Sequence, residues 1–220
     1  MTAEKRWTTK DVIFWAAGLI LCALGVSLCT KGSLGLSMIG APPYILHVWL
    51  RERLAWYTQG VSEYVWEAVV LLVLCLVIRR FRWKYLLSFG TAVCSGLAID
   101  GWLWVLGGNG PWPGLAGRIV SFAAGAVITA LAIACFFRTR LPLQVYELAV
   151  TAFAERYGKE QSRVKLGFDI LMLILSLAMS LLLTGGLTGI GIGTVIITFT
   201  NAFMIRRFGQ LLDALTARSK

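Results

Sequence analysis

The sequence has little that catalysis or polar recognition draws on. It holds one histidine, His47, in 220 residues, and only 15% of its residues are charged. A single histidine excludes an HExxH zinc site and leaves no Ser/His/Asp constellation, and no phosphate-cradling glycine loop is present. An enzyme is therefore not expected, and no cofactor or metal. The five cysteines, Cys22, Cys29, Cys75, Cys94 and Cys135, are odd in number, lack paired spacing and lie mostly in apolar runs. They read as reduced packing residues. Long polar segments are also missing, which excludes a soluble domain with a solvated face.

What is present is apolar sequence, at 58% of the chain. A run of about 18 residues can cross the hydrocarbon core of a bilayer. Six runs qualify: Val12–Thr30, Tyr64–Ile78 with a start near Val61, Tyr85–Leu106, Arg118–Phe137, Leu166–Thr184 and Thr188–Ile205. The first follows Lys5, Arg6 and Lys10 but is too long for a signal peptide and lacks a small-x-small cleavage site, so it reads as a retained span. The fold class expected is an all-α membrane protein of six transmembrane helices, one integral membrane domain over residues 1–220.

The net charge of +10 is explained by topology. With the N-terminus inside and the spans alternating, 17 of the 21 basic residues fall on the inner side; Lys31, Arg51, Arg53 and Arg118 remain outside. That bias places both termini in the cytoplasm. The partners expected are the lipid bilayer and a small-molecule or ion substrate, with a homo-oligomer or partner membrane or ATPase subunits as further possibilities. No nucleic acid is needed. Trp49, Trp56, Trp66, Trp102, Trp104 and Trp112 fall near the outer boundary and Trp7, Trp15 and Trp83 near the inner one, where indole rings favour the interface.

One stretch has an echo. Lys31–Arg53 is too rich in glycine and proline to continue the first helix and too apolar for an ordinary loop. Gly40, Pro42 and Pro43 interrupt it, and a helical pattern resumes from Tyr44. About 103 residues later, under the same reading of periodicity, comes Arg138–Arg156. Glu52-Arg53 matches Glu155-Arg156, Tyr44 falls opposite Glu147, Glu67 opposite Asp169 with one residue of slippage, and Gly90-Thr91 opposite Gly193-Thr194. These matches predict two three-span repeats, about 12–106 and about 117–208. Three spans are odd in number, so the second copy enters the bilayer from the opposite side, as in secondary transporters. Each copy carries a Gly/Pro-rich re-entrant or amphipathic segment after its first helix. Gly40, Pro42, Pro43, Tyr44 and Glu147 are its candidate gate residues.

Ionisable groups inside a membrane usually face a cavity or a partner. Glu67, Asp100 and Asp169 are the leading candidates for substrate contact; Arg118 is the structural partner that would leave one of them without such a role. Glu63, four residues before Glu67, shares its helix face but can reach the water interface. Asn201 can bond a substrate or a neighbouring helix. Gly90-Thr91 and Gly193-Thr194, read as helix entries, can present free N–H groups to an anion.

The sequence resembles the YczE-like (YczE/YyaS/YitT-type) bacterial integral membrane proteins. The resemblance rests on LGVSL at Leu24–Leu28, on Leu34-Gly35-Leu36 and the proline-containing helix start. It continues through VYELA at Val145–Ala149, ERYG at Glu155–Gly158, FDIL at Phe168–Leu171 and GGLTGIGIGT at Gly185–Thr194. It implies a Pro-x-Asp-x-Leu motif in each copy. Here Tyr44 stands at the acidic position of the first copy, and Glu147 at that of the second, which has no proline. The resemblance implies a multi-span protein of the bacterial inner membrane and brings no settled activity. The function expected is a small-solute transporter or permease with a midplane site between the repeats. The alternative is a non-catalytic membrane subunit, either the substrate-capture component of an uptake complex or a scaffold. A lipid-handling protein is a weaker third.

Overall fold

The computed structural model describes residues 7–79 and 81–217. Lys5, Arg6, Arg80, Arg218 and Lys220 of the basic set, and the side chain of Lys84, lie outside the described residues. Among those residues the chain is all helical, in eight helices: α1 Thr9–Gly32, α2 Ala41–Leu50, α3 Gln59–Ile78, α4 Trp83–Val105, α5 Leu115–Phe136, α6 Val145–Tyr157, α7 Gln161–Met179 and α8 Ile192–Ala217. A π-helical turn, Ser180–Thr184, extends α7. Five of them, α1, α3, α4, α5 and α7 with its extension, are long and apolar enough to cross a membrane. In α8 the apolar stretch stops at Arg206-Arg207, so only Ile192–Ile205 could sit in hydrocarbon.

The outward faces are apolar, the reverse of a soluble protein. Trp104, Leu182 and Phe199 are each about four-fifths exposed. Polar groups lie within: Ser27, Ser62, Glu67, Ser176 and Ser180 are fully buried. Two of the serines satisfy themselves on the preceding turn: Ser27 Oγ donates to the Ala23 carbonyl at 2.8 Å and Ser176 Oγ to that of Met172 at 2.7 Å.

The most intimate packing joins α1 to α5, antiparallel. A Cβ on Gly125 would sit 2.7 Å from the Gly25 carbonyl and 2.8 Å from the Cys29 nitrogen, and one on Gly25 would meet the Gly125 carbonyl at 2.9 Å. Small residues let these backbones touch, as is usual between helices in lipid. Around this pair, α4 packs on α1 and α8 on α5. A second group gathers on α3: α2 packs on α3 and α7, and α6 on α3, α7 and α4. The two groups are joined where α3 crosses α4 through Gly60 and Gly96. Among the described residues α7 and α8 do not pack on each other.

The two short helices α2 and α6 start inside the bundle and leave it at opposite ends. Call the end holding the start of α1 and the finish of α5 and α8 the proximal end; there Thr139 Oγ1 donates to the Asp11 carbonyl and Arg138 pairs with Asp213. From Thr139 the chain runs inward without helix. The Pro142 carbonyl accepts from Trp15 Nε1 of α1 and Thr91 Oγ1 of α4, both at 3.2 Å, and Gln144 Nε2 reaches Ser95 Oγ at 3.2 Å. Six extended residues cover about 20 Å, enough to reach mid-bilayer. Helix α6 then returns to the proximal end, where Tyr157 Oη donates to the Val77 carbonyl at 3.2 Å.

The first insertion is its counterpart from the distal end. After α1 ends in left-handed Ser33, the segment 34–36 lies against the glycine-rich lead into α8. Leu36 N donates to the Gly189 carbonyl at 2.9 Å, and Gly193 N to the Leu34 carbonyl at 2.8 Å. Gly35, at φ +123, leaves no room for a side chain beside Thr194. Helix α2 then runs outward antiparallel to α3. It starts at Ala41, earlier than the expected Tyr44, because Pro42 and Pro43 sit in its first turn, where no intrahelical N–H bond is lost. In the second insertion the helix, α6, runs from Val145 to Tyr157. Trp66, expected at the outer boundary, is instead buried in the core with Val70, Val145 and Tyr146. It falls on the inward face of α3, which overrides the interfacial preference of indole.

Candidate functional site

The polar centre of the molecule lies on one face of α3. Gln59, Glu63 and Glu67 recur every four residues and so stack along a single side, and all three are buried, Glu67 completely. Glu67 sits near the middle of the helix, about 12 Å along from Gln59 at 1.5 Å per residue. Its Oε2 accepts from the backbone N–H of Val145, the first residue of α6, at 3.3 Å. The free N–H groups and partial positive charge of a helix start favour a carboxylate there. Its Oε1 is buried and has no protein partner.

The first turn of α6 adds two more groups. Tyr146 is 2% exposed and its hydroxyl has no partner; the Oε2 of Glu147 is also buried and unpartnered. Glu63, Glu67 and Glu147 all lie close enough to act electrostatically on Tyr146 and on Cys22 of α1, so the three acids share one neighbourhood. Among the described residues no lysine or arginine forms an ion pair with any of them. Moving an ion from water into a low dielectric costs several kcal/mol unless charge and hydrogen bonds compensate. The α6 start supplies part of that compensation at Glu67, and Lys165 of α7 acts electrostatically on Glu147.

The other insertion fixes the distal side of the same helix. Ser62 Oγ donates to the Pro43 carbonyl of α2 at 2.5 Å. His47 is buried between two loops: one ring nitrogen, Nδ1, meets the Tyr57 carbonyl at 3.0 Å, and Nε2 meets Asn109 Nδ2 at 2.7 Å. These partners call for a proton on Nδ1 and make His47 a clamp between α2 and the α4–α5 turn. Tyr44 lies against Gly189, where a Cβ would come within 2.8 Å of its ring. Gly40 N–H donates to Ser37 Oγ at 3.2 Å just ahead of α2.

The remaining predicted residues occupy other places. Asp100 caps α3: Oδ1 accepts from Gly60 N at 2.8 Å and Oδ2 from Thr58 Oγ1 at 2.5 Å. Arg118 does not pair with it, and instead covers the C-terminal carbonyls of α1 at Gly32 and Ser33. Asp169 pairs with Lys165 one turn away, at 3.2 Å, on the proximal part of α7. Asn201 lines a small separate cavity with Cys29, Gly40, Thr129 and Ile197. Gly90 is exposed, and Gly90-Thr91 lies two turns inside α4 rather than at its start. Thr91 Oγ1 bonds the Leu87 and Pro142 carbonyls. Gly193 and Thr194 do stand at the start of α8, but Gly193 N is used by Leu34, and Thr194 Oγ1 accepts from Gly191 N at 3.2 Å. Lys31, buried, donates to the Gly108 carbonyl at 3.1 Å and lies 4.5 Å above the Trp112 ring.

Of the predicted set, Glu67 and Glu147 therefore meet, and Glu63 joins them. Gln59 and Tyr146 were not singled out by the sequence. The signal for Gln59 was its spacing from Glu63; Tyr146 carried none, because a tyrosine in an apolar helix reads as packing. Among the described residues no group of three or more His, Cys, Asp or Glu side chains is arranged to hold a metal ion.

The chain is 24% identical over 206 residues to the uncharacterized protein YyaS of Bacillus subtilis (strain 168), an alignment covering 91% of this chain and 93% of that protein. No solved structure matches it. The model of DUF6198, a family of unknown function, matches residues 9–210, so the chain belongs to that family.

Proposed function

We propose that the protein is a small-solute transporter of the bacterial inner membrane, with both termini cytoplasmic. It would be built as two inverted three-span repeats around the acidic face of α3. The carrying observation is Glu67: a fully buried carboxylate at mid-span, held by the start of a half-helix and left with one oxygen unpaired. Discontinuous helices whose N-termini meet at the midplane are how inverted-repeat transporters form their sites.

The packing pattern supports the repeat. Helices α1 and α5 meet through reciprocal glycines, α1 takes α4 as α5 takes α8, and α2 lies on α3 and α7 as α6 lies on α7 and α3. The inward segments cross matching threonines, Thr194 in one copy and Thr91 in the other. With α8 as the sixth span, its short apolar stretch is lengthened by the half-buried glycine-rich lead of residues 188–191. The basic residues of α5, α7 and α8 ends then face the cytoplasm. No catalytic or cofactor role is included.

The test is flux in proteoliposomes. Glu67→Gln keeps size and loses charge, and should lower uptake by tenfold or more, while Asp169→Asn should leave it near wild type. Wild-type flux in a folded Glu67→Gln protein would sink the transporter. The missing contact between α7 and α8 favours a second reading, a substrate-capture subunit or scaffold whose partner covers that side. Co-purification with an ATPase pair or a membrane enzyme, lost on substitutions along exposed α7, would support it.

A further inference from the structure

The buried centre is unbalanced in hydrogen bonding as well as in charge. Four oxygen atoms have no protein partner: Gln59 Oε1, Glu67 Oε1, Tyr146 Oη and Glu147 Oε2. Gln59 and Tyr146 are each 2% exposed, and Gln59 is fixed by donating from Nε2 to Thr30 Oγ1 at 2.9 Å, which leaves its carbonyl oxygen free. Three of these, on Gln59, Glu67 and Glu147, only accept when the acids are ionised; the unpartnered donors are Trp66 Nε1 and the Tyr146 hydroxyl, which can also accept. A carboxylate and a carbonyl can only accept. With the acids ionised, what satisfies this region donates several hydrogen bonds and carries positive charge.

The layout narrows the class. Gln59, Glu63 and Glu67 are spaced at about 6 Å per step along α3, and Tyr146 and Glu147 lie beside their inner end. Acceptors in a line suit donors in a line. The acids do not converge as a metal shell, and a hard cation needs convergent oxygens. A quaternary ammonium has charge without N–H groups and would leave the same oxygens unmet. Glu63, the one acid of the line with some exposure at 9%, stands between Gln59 and Glu67.

We propose that this face of α3 with the first turn of α6 binds an elongated organic cation bearing two or more protonated amines, of the diamine or polyamine class. The proposal rests on the transport reading for its physiological role, with the amine as the solute carried.

The test uses the full-length protein in detergent and follows thermal unfolding with 1,4-diaminobutane, tetramethylammonium or magnesium at equal ionic strength. A ligand at a hundredfold excess over its Kd should raise Tm by on the order of 5 °C. The diamine should give that shift and the other two should not. Glu67→Gln and Gln59→Leu should abolish it, Tyr146→Phe should reduce it, and Asp169→Asn should keep it. Should Glu67→Gln fail to give a monodisperse protein, Gln59→Leu and Tyr146→Phe decide the matter. Equal shifts from tetramethylammonium or magnesium would overturn the proposal, as would no shift from the diamine or one that survives these substitutions. Proteoliposome uptake separates the two readings. Glu67-dependent uptake of a non-amine solute would end the amine assignment and keep the transporter. Glu67-dependent diamine binding without uptake would do the reverse.

Discussion

The hairpin α3–α4 and the pair α7–α8, aligned with it by sequence offset, close differently. In the first, Gly60 and Gly96 bring the helices into backbone contact, and Asp100 locks the crossing by capping α3. In the second, the two helices do not touch. By the match of Thr91 to Thr194, Phe199 stands where Gly96 would and Phe203 where Asp100 would, and both point outward, exposed. Gly167 of α7 has open space around it. One hairpin is thus closed and the other open, and the closed one has two small residues and one acid at its crossing. The acids that cluster belong to the closed hairpin and to the half-helix that leans on it; Asp169, on the open one, pairs locally with Lys165.

The largest effect should come from the closed crossing. A Cβ at Gly60 would meet the Gly96 carbonyl, and one at Gly96 would sit 2.5 Å from the Gly60 carbonyl. Neither neighbour is a flexible side chain. Gly96→Leu should destabilise by about 3 kcal/mol, at the upper end of overpacking penalties, in reversible unfolding in mixed micelles. Gly167→Leu on the open hairpin should stay within about 0.5 kcal/mol. Similar losses for the two would mean that α7 is packed in a way its surroundings do not account for.

Next in size are the two aspartates. Asp100→Ala leaves the Gly60 N–H and the Thr58 hydroxyl without their acceptor, so a loss of about 2 kcal/mol is expected for hydrogen bonds to a charged group. Asp169→Ala removes a part-exposed one-turn pair, expected to be worth less than about 0.5 kcal/mol. Equal costs would show that Asp169 has a buried partner in the membrane. Ser62→Ala, which removes the tie from α3 to the Pro43 carbonyl of α2, should fall between them at about 1 kcal/mol.

The spans were legible because apolar length is a composition signal. Five of the six predicted runs lie in helices long and apolar enough to span, and the first, third, fourth and fifth agree within a few residues of their expected bounds; the sixth is helical only from Ile192. Helix α3 begins at Gln59, before the expected Val61, because Thr58 caps it and Asp100 accepts from Gly60. The sequence could not show that capping, since Asp100 lies 40 residues on and reads as a buried charge. Gly90-Thr91 misled for a related reason: a glycine–threonine pair resembles a helix entry, yet α4 already starts at Trp83. Glu147 and Glu67 could not be paired from sequence, because their meeting depends on how far the segment after Thr139 runs inward. Tyr44 and Asp169, matched to them by sequence offset, lie apart, so the offset did not tell which side chains would meet.

The smallest effect concerns what α8 holds in place of α7. Beyond its apolar stretch, Asp213 receives Arg138 Nε on Oδ1 at 2.8 Å and Nη2 on Oδ2 at 2.6 Å, tying α8 to the end of α5. The Arg138 guanidinium, by these bonds, holds the Asp213 carboxyl below its usual range. A carboxyl whose folded value lies below its unfolded one adds stability that is present above the unfolded value, about pH 4. That stability is lost as the pH falls through the depressed folded value. Asp213→Asn should therefore lower stability slightly at neutral pH and flatten the fall below about pH 4, read from unfolding midpoints across the acid range. The carboxyl is largely exposed, so salt should erode the difference. Amide exchange would sharpen the contrast between the hairpins. Once the α5 clamp is gone, the last turns of α8 should lose protection while α4 does not, because α8 has no α7 to fall back on and α4 keeps α3.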